Sequence, residues 1–514
     1  SIRLEAFRKP DGKIFFDDLA LHHLIPPRIE GFLLYPNYRG VLFEDRSQTI
    51  QLSVRSHSGA ARELVRISLE DPSGTVLAKV EENVSADERS VVEIDASKAP
   101  PGRLRLRLQA LDAPSGSIGF EYPAYEIVKM PASARSSLAT YVDTDNVLVV
   151  DGKRRFVLGI YDTSGRSKKQ SFYAKRISKI AEAKFNFYIN YWLGGASADE
   201  IEALTTALRR FDMSYLHTVN MWYEKNAYWP KQTACDGTMS GTHGQTAFTL
   251  CMARELGDLP GFAGWYTADE RDADEAAPVF EQYRLLRQAD PDGIAFIAQN
   301  RPGEIGRWRD AADVFGVDPY PIFNIPEGKL SPFHTVTRWV ETANERVESS
   351  RPVWGVIQFF QHGAKGHWPT YDELRTMSYM AVISGAKGLL YWSYGARGLA
   401  WVKDPEAKKT YWERLVRVVE EFHELEPVLL TPDAPGVVES VSGAGIRFLA
   451  KELDGTRYIF AVNNTRSPIE AEFRLSQGAS QATVLKEERT LAISERKLAD
   501  SFGPYAVHVY RIGE

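Results

Sequence analysis

Residues Gly261 to Glu270 read Gly-Phe-Ala-Gly-Trp-Tyr-Thr-Ala-Asp-Glu, an apolar, aromatic run of strand length that ends in two adjacent carboxylates. A charged stretch suited to starting a helix follows from Arg271 to Glu275. The pattern is that of a strand presenting acids at its C-terminal end. In a barrel of parallel strands those ends line the catalytic pocket, so a carboxylate there is a candidate catalyst.

Working outward, seven more short apolar runs share the character of this one. The eight in order are Phe156 to Tyr161, Phe185 to Tyr191, Met213 to Val219, Phe262 to Ala268, Ile294 to Ala298, Val314 to Val317, Val353 to Phe359 and Gly388 to Tyr394. Helical patterns fit between them at Gln170 to Ala183, Ala198 to Phe211, Asp274 to Gln288, Pro332 to Ser349 and Thr370 to Ser384, and a further helix is expected from about Pro405 to Leu425. Continuous apolar runs alternating with amphipathic helices indicate parallel strands covered by helices. Eight such units over about 270 residues match a (β/α)8 barrel, a TIM barrel. Between the third and fourth runs lies a long insertion, Asn220 to Gly244, and loops of that kind usually serve binding.

On both sides of this region the period changes to two. Ile50 to Arg55, Leu64 to Leu69, Val91 to Ile94 and Arg103 to Leu108 alternate apolar and polar residues, with turn chemistry at Asp71-Pro-Ser-Gly and Pro100-Pro-Gly. After the barrel the same alternation returns at Gly445 to Ala450, Arg457 to Val462, Ile469 to Leu475 and Tyr505 to Ile512. The expected organisation is an N-terminal β-sandwich over 1–140, the barrel over 141–428 and a small C-terminal β-sandwich over 429–514, with a hairpin at Asn146 to Lys153 leading into the barrel.

Composition narrows the function classes. A net charge of −6 in 514 residues argues against a nucleic-acid partner. No run of 18 or more apolar residues occurs, so no membrane span is expected. The chain lacks a phosphate loop, an H-E-x-x-H pattern and clustered cysteines, so no cofactor and no metal is expected. Cys235 and Cys251 fall in what reads as one irregular connection, where they form a disulfide if the protein is secreted or stay as thiols in a reducing compartment. The expected location is secreted or periplasmic, with a leader already removed. Nothing in the sequence speaks to oligomeric state.

If the eight strands are right, their C-terminal ends bring together Asp162, Asn190, Trp192, His217, Asp269, Glu270, Asn300, Arg301, Asp318, Tyr320, Gln358 and Trp392. Trp222 and Glu224 from the long insertion and His362 and His367 from the loop after strand seven are further candidates. Amides and carboxylates bind hydroxyls and rings cover apolar sugar faces, so this mixture suits a polyhydroxylated, carbohydrate substrate. Plain structural alternatives exist for each: an acid after a strand can start a helix, an Asp before Pro can hold a turn, and a His or Trp can be core.

Gly264-Trp-Tyr-Thr-Ala-Asp-Glu, together with Asn146 to Gly159, Gly316-Val-Asp-Pro-Tyr-Pro and Leu389-Leu-Tyr-Trp-Ser-Tyr-Gly, resembles the glycoside hydrolases with a (β/α)8 catalytic barrel, broadly of the clan A type. The terminal sandwiches are similar to the accessory β-domains that flank such barrels. The resemblance implies glycosidase activity with an acid/base Glu ending strand four, which maps onto Glu270. It also implies a nucleophilic Glu ending strand seven, where this chain offers only Gln358 and Gln361. The Asn that precedes the acid/base in the family is here Asp269.

Glycoside hydrolysis needs two carboxyl groups. The expectation is therefore Glu270 as general acid, its pKa raised by Trp265, Tyr266 or neighbouring carboxylates, with Asp318 as base or nucleophile. Asp269, pointing the other way on an extended chain, is expected to orient the site or cap a helix. The rival readings are a carbohydrate-binding barrel without hydrolysis, and a barrel enzyme of another class such as a lyase or transglycosidase.

Overall fold

The computed structural model describes residues 26–86, 88–112, 115–219, 235, 241–272, 275–395 and 398–513, the side chains of 241–245 excepted. Its centre is a closed barrel of eight parallel strands in sequence order: Val157–Asp162, Phe187–Asn190, Ser214–Thr218, Phe262–Asp269, Ile294–Gln299, Val314–Val317, Val353–Gln358 and Gly388–Trp392. Nearly every residue in these strands is buried, because one face meets the barrel interior and the other meets helices. Val157, Tyr161, Phe187, Ile189, Leu216, Tyr266, Phe296, Val314, Trp354 and Leu390 form the interior cluster. Leu158, Ile160, Tyr188, Tyr215, Trp265, Phe315, Ile357 and Tyr391 face outward under the helices.

Helices over Gln170–Glu182, Ala198–Arg210, Ala276–Ala289, His334–Arg346, Tyr371–Ile383 and Pro405–Leu429 stand near the predicted positions. One of them starts on a full capping box, Thr370 with Glu373, and at another Glu200 accepts from the Ser197 amide at 2.9 Å, which satisfies the first free N–H groups. One helix departs from the sequence reading. Gly241–Gly257 is helical where an irregular connection was expected, and Phe248, Met252, Ala253 and Leu256 seat it on the barrel. Its Gly- and Thr-bearing first turns carry little helical signal, so packing decides the conformation. Cys251 sits on this helix and is bonded to Cys235, with the Cα atoms 5.9 Å apart.

Strand four is irregular. Its register shifts between Tyr215 and Leu216 on one neighbour and between Tyr266 and Ala268 on its own side toward strand five. Gly264 makes this possible: its φ is +148°, and a Cβ there would stand 2.1 Å from the Ile294 carbonyl oxygen.

The N-terminal face of the barrel is closed. Tyr38, Val142, Leu148 and Val150, the last three from a small sheet of Thr140–Val142, Leu148–Val150 and Lys153–Arg155, join the interior cluster from below. Arg39 enters the same face and binds Asp313 through Nε (3.0 Å to Oδ2) and Nη2 (2.9 Å to Oδ2). N-terminal to this plug, a three-stranded and a five-stranded sheet enclose their own core, which contains Ile50, Leu52, Ile67, Leu106 and Ile127. C-terminal to the barrel, another three-stranded and five-stranded pair encloses Ile459, Phe473, Leu498 and Tyr510. Arg375 ties that second unit to the barrel by pairing with Glu421 at 2.9 Å and donating to the Val507 carbonyl. No described helix is long and apolar enough to cross a membrane.

Candidate active site

With the floor plugged, the open end of the barrel is the C-terminal mouth, and its acids come from strands four and six. Asp269 ends strand four on the interior side. Its Oδ2 accepts a hydrogen bond from the Tyr191 hydroxyl at 2.6 Å, and its Oδ1 accepts one from the Tyr266 hydroxyl. Burial lifts the Asp269 carboxyl above the usual range; the two phenols oppose this and the neighbouring Glu270 adds to it.

Glu270 does not continue the extended chain. Its φ is +49°, in the left-handed region, and its amide donates to the Ala298 carbonyl at 2.9 Å. Alternation along a strand would send the side chains of Asp269 and Glu270 to opposite faces. The left-handed turn cancels that rule and leaves both acids at the mouth. Asp269 therefore belongs to the acid cluster itself, and the opposed orientation inferred from the sequence is corrected.

Asp318 follows strand six and precedes Pro319. It is 6% exposed, and its Oδ1 is buried with no hydrogen-bond donor on it among the described residues. Its carboxyl shares a hydrogen bond with that of Glu270. Two carboxyls in such contact hold one proton between them, since both cannot ionise cheaply. Burial, the shared bond and the charges of Glu270 and Asp269 all push Asp318 well above the ordinary carboxylate range. Asp318 is thus the buried member of the pair and Glu270 the exposed one. Trp265, expected to lift Glu270, faces the other way and donates its Nε1 hydrogen to Asp290.

Rings wall this cluster. Tyr161 lies 5.0 Å from Trp392 and 6.0 Å from Tyr266, and Tyr191 lies 5.6 Å from Trp392 and 6.4 Å from Tyr266. Tyr320 packs edge-on to Phe360 at 5.1 Å and to His362 at 6.3 Å, and burial raises its phenol, with Asp318 adding. His362 meets Phe323 edge-on at 4.6 Å, and burial lowers its imidazole pKa. Trp192 is 43% exposed, with its Nε1 donating to the Thr163 carbonyl. Asn300 is half-buried after strand five, and Arg301 pairs with Asp272 while Glu270 acts on it through space.

Other expected site residues are engaged elsewhere. Asp162 faces outward and binds Arg176 and the Tyr188 hydroxyl, each at 2.7 Å. His217 is fully buried between strand and helices against Tyr215 and Trp265, and burial drives its pKa down to about 3. Asn190 holds the loop that follows it, accepting from Trp192 N and donating to the Gly165 carbonyl. Gln358 is fully buried and links strand seven to the loop after strand six, bonding both Ile322 backbone groups and the Phe360 carbonyl. His367 bridges the Ile325 carbonyl and Glu373. Trp222 and Glu224 lie outside the described residues.

Tyr161 and Tyr191 were missed from the sequence, each one position away from a residue that was chosen. The signal was available in the period of two: Val157 and Tyr161 share a face, as do Phe187, Ile189 and Tyr191. Among the described residues no group of three or more His, Cys, Asp or Glu is placed to hold a metal ion.

No protein-family model and no curated protein matches this chain. Solved structures do. A glycoside hydrolase family 5 structure from Bacteroides vulgatus ATCC 8482 aligns over 74% of this chain and 94% of its own, with a TM-score of 0.52 and 13% identity. A second, described as a glycoside hydrolase, aligns over 74% and 97% with a TM-score of 0.51 and 13% identity. At such identity the likeness is one of fold.

Proposed function

We propose that this chain is a glycoside hydrolase that cleaves glycosidic bonds in an oligo- or polysaccharide at the C-terminal mouth of the barrel. The observation that carries the reading is the pairing of Glu270 and Asp318, an exposed carboxyl and a buried one, raised by burial, on strands two apart. Glycoside cleavage needs that asymmetry, one acid to protonate the leaving oxygen and one carboxylate to meet the sugar. The solved structures that share the fold are described as glycoside hydrolases, which agrees with it.

In the mechanism, which exchanges the roles expected from the sequence because Asp318 is the buried acid with the raised pKa, Asp318 gives its proton to the glycosidic oxygen as the C1–O bond breaks, and the Glu270 carboxylate forms a bond to C1. A water then loses a proton to Asp318 and attacks C1, freeing Glu270. Two carboxyls close enough to share a hydrogen bond lie nearer the roughly 5 Å separation of retaining enzymes than the roughly 6.5–9.5 Å of inverting ones, so a product of retained anomeric configuration is expected. The Cys235–Cys251 bond supports export to an oxidising compartment.

Product analysis of a glycan panel by mass and by proton NMR tests the proposal: addition of water with retention is expected. Elimination products point to the lyase reading, new linkages to the transglycosidase reading, and binding without turnover to a carbohydrate-binding barrel.

A further inference from the structure

We infer that this pocket takes a basic sugar, one bearing a free amine, in preference to a neutral or an acidic one. The inference rests on the glycosidase reading for its location and goes beyond it in naming the class of substrate. Hydrolysis requires two carboxyls, and the mouth holds a third, Asp269, whose hydrogen bonds come from the neutral phenols of Tyr191 and Tyr266.

Among the described residues, the arginines on the surrounding loops are paired with other acids. Arg166 pairs with Glu200 at 3.7 Å, Arg271 with Glu275 at 3.0 Å, and Arg301 with Asp272. Arg271 acts on Asp269, and Arg301 on Glu270, through space. One shared proton between Glu270 and Asp318 still leaves the cluster negative. Asp318 Oδ1 adds an independent demand, being a buried acceptor with no donor among the described residues.

A substrate ammonium answers both needs, bringing three donors and one positive charge. The walls suit it as well. Tyr161, Trp392, Tyr191 and Tyr266 form a closed ring of edge contacts around Asp269, and Tyr191 and Trp392 remain partly open to the pocket. Aromatic faces attract cations, most strongly where water is excluded. A neutral sugar can bond the acids but leaves their charge unbalanced. A uronate would add a third negative charge to the site.

The test is titration calorimetry of the whole protein with methyl glycosides of glucosamine and galactosamine, the matched glucose and galactose compounds, and the matched uronates. The amino sugars are expected to bind about tenfold more tightly than the neutral ones and the uronates more weakly still. Asp269→Asn should erase most of the amine preference, read as the ratio of amino-sugar to neutral-sugar affinity within that variant. Equal binding across the panel, tighter binding of neutral sugars or uronates, or no binding at all overturns the inference. Turnover is scored separately with the corresponding oligosaccharides. Amine-selective binding without cleavage would sink the hydrolase reading and leave this one standing, and cleavage of neutral glycosides with no amine preference would do the reverse.

Discussion

Strand six carries a buried aspartate at each end, and the two have opposite surroundings. Asp313, below the strand, is met by Arg39, by the Tyr283 hydroxyl at 2.8 Å and by the Ala295 amide at 2.8 Å. Asp318, above it, has no cation bonded to it among the described residues and shares its hydrogen bond with another acid. Burying a charge is costly unless partners satisfy it, and at the floor every partner is supplied. At the mouth the donors are withheld, so the carboxyl keeps a proton. The same residue type thus serves joining at one end and, in the proposed mechanism, proton transfer at the other.

The largest effect should come from removing the mouth acid. Asp318→Asn is expected to lower kcat by about 10²- to 10⁴-fold, the usual contribution of a positioned general acid, with the fold intact by circular dichroism. Glu270→Gln should be at least as damaging, because it removes the carboxylate that meets C1. Full turnover in either variant would mean that the contact between the two acids is structural.

Arg39→Ala would make the floor resemble the mouth by leaving Asp313 buried without its cation. Breaking a buried pair by removing one partner costs about 3–5 kcal/mol, to be read from urea denaturation. Lowering the pH should recover part of that loss, since Asp313 can then accept a proton. The folded fraction should keep wild-type turnover, because Arg39 lies at the closed end.

A smaller effect separates the two aspartates by titration. The Asp318 pKa is raised on folding, so the folded protein holds a proton that the unfolded chain releases near pH 4. The stabilisation from that proton is complete below about pH 4 and is lost as pH rises toward the folded pKa. Stability of Asp318→Asn relative to wild type should therefore increase with pH above about 4. Activity should fall on the alkaline side as Asp318 ionises. A relative stability that is flat with pH, with an unchanged alkaline limb, would contradict a raised carboxyl.

The barrel itself was legible in the sequence because parallel strands are buried on both faces and so appear as unbroken apolar runs. That same property hid which way each side chain points. With no polar side to mark parity, Asp162, Asn190 and His217 looked as well placed as Asp318 and Trp392, and the inward Tyr161 and Tyr191 looked like core. Only where an inward position fell at the strand end, as with Asp318, did type and direction coincide. Arg39 gave no sign either, because its partner Asp313 is 274 positions away and its meaning depends on tertiary contact. Glu270 was found from its neighbours, although its left-handed backbone, which turns both acids to one side, has no marker in a Glu residue.

That backbone gives the smallest of the expected effects and the finest comparison of the two ends. A non-glycine residue at φ +49° carries strain of about 1 kcal/mol, and only surrounding structure holds it there. Glycine enters this region freely, whereas alanine removes the carboxyl and keeps the strain. Glu270→Gly should thus be more stable than Glu270→Ala by about 1 kcal/mol in urea denaturation, although both lack the catalytic carboxylate. If alanine were equal or better, the turn would be relaxed and the convergence of Asp269 and Glu270 would need no strain. If glycine wins, the mouth keeps an unfavourable backbone at the residue that presents its catalytic carboxylate, in contrast to the satisfied contacts of Asp313 at the floor.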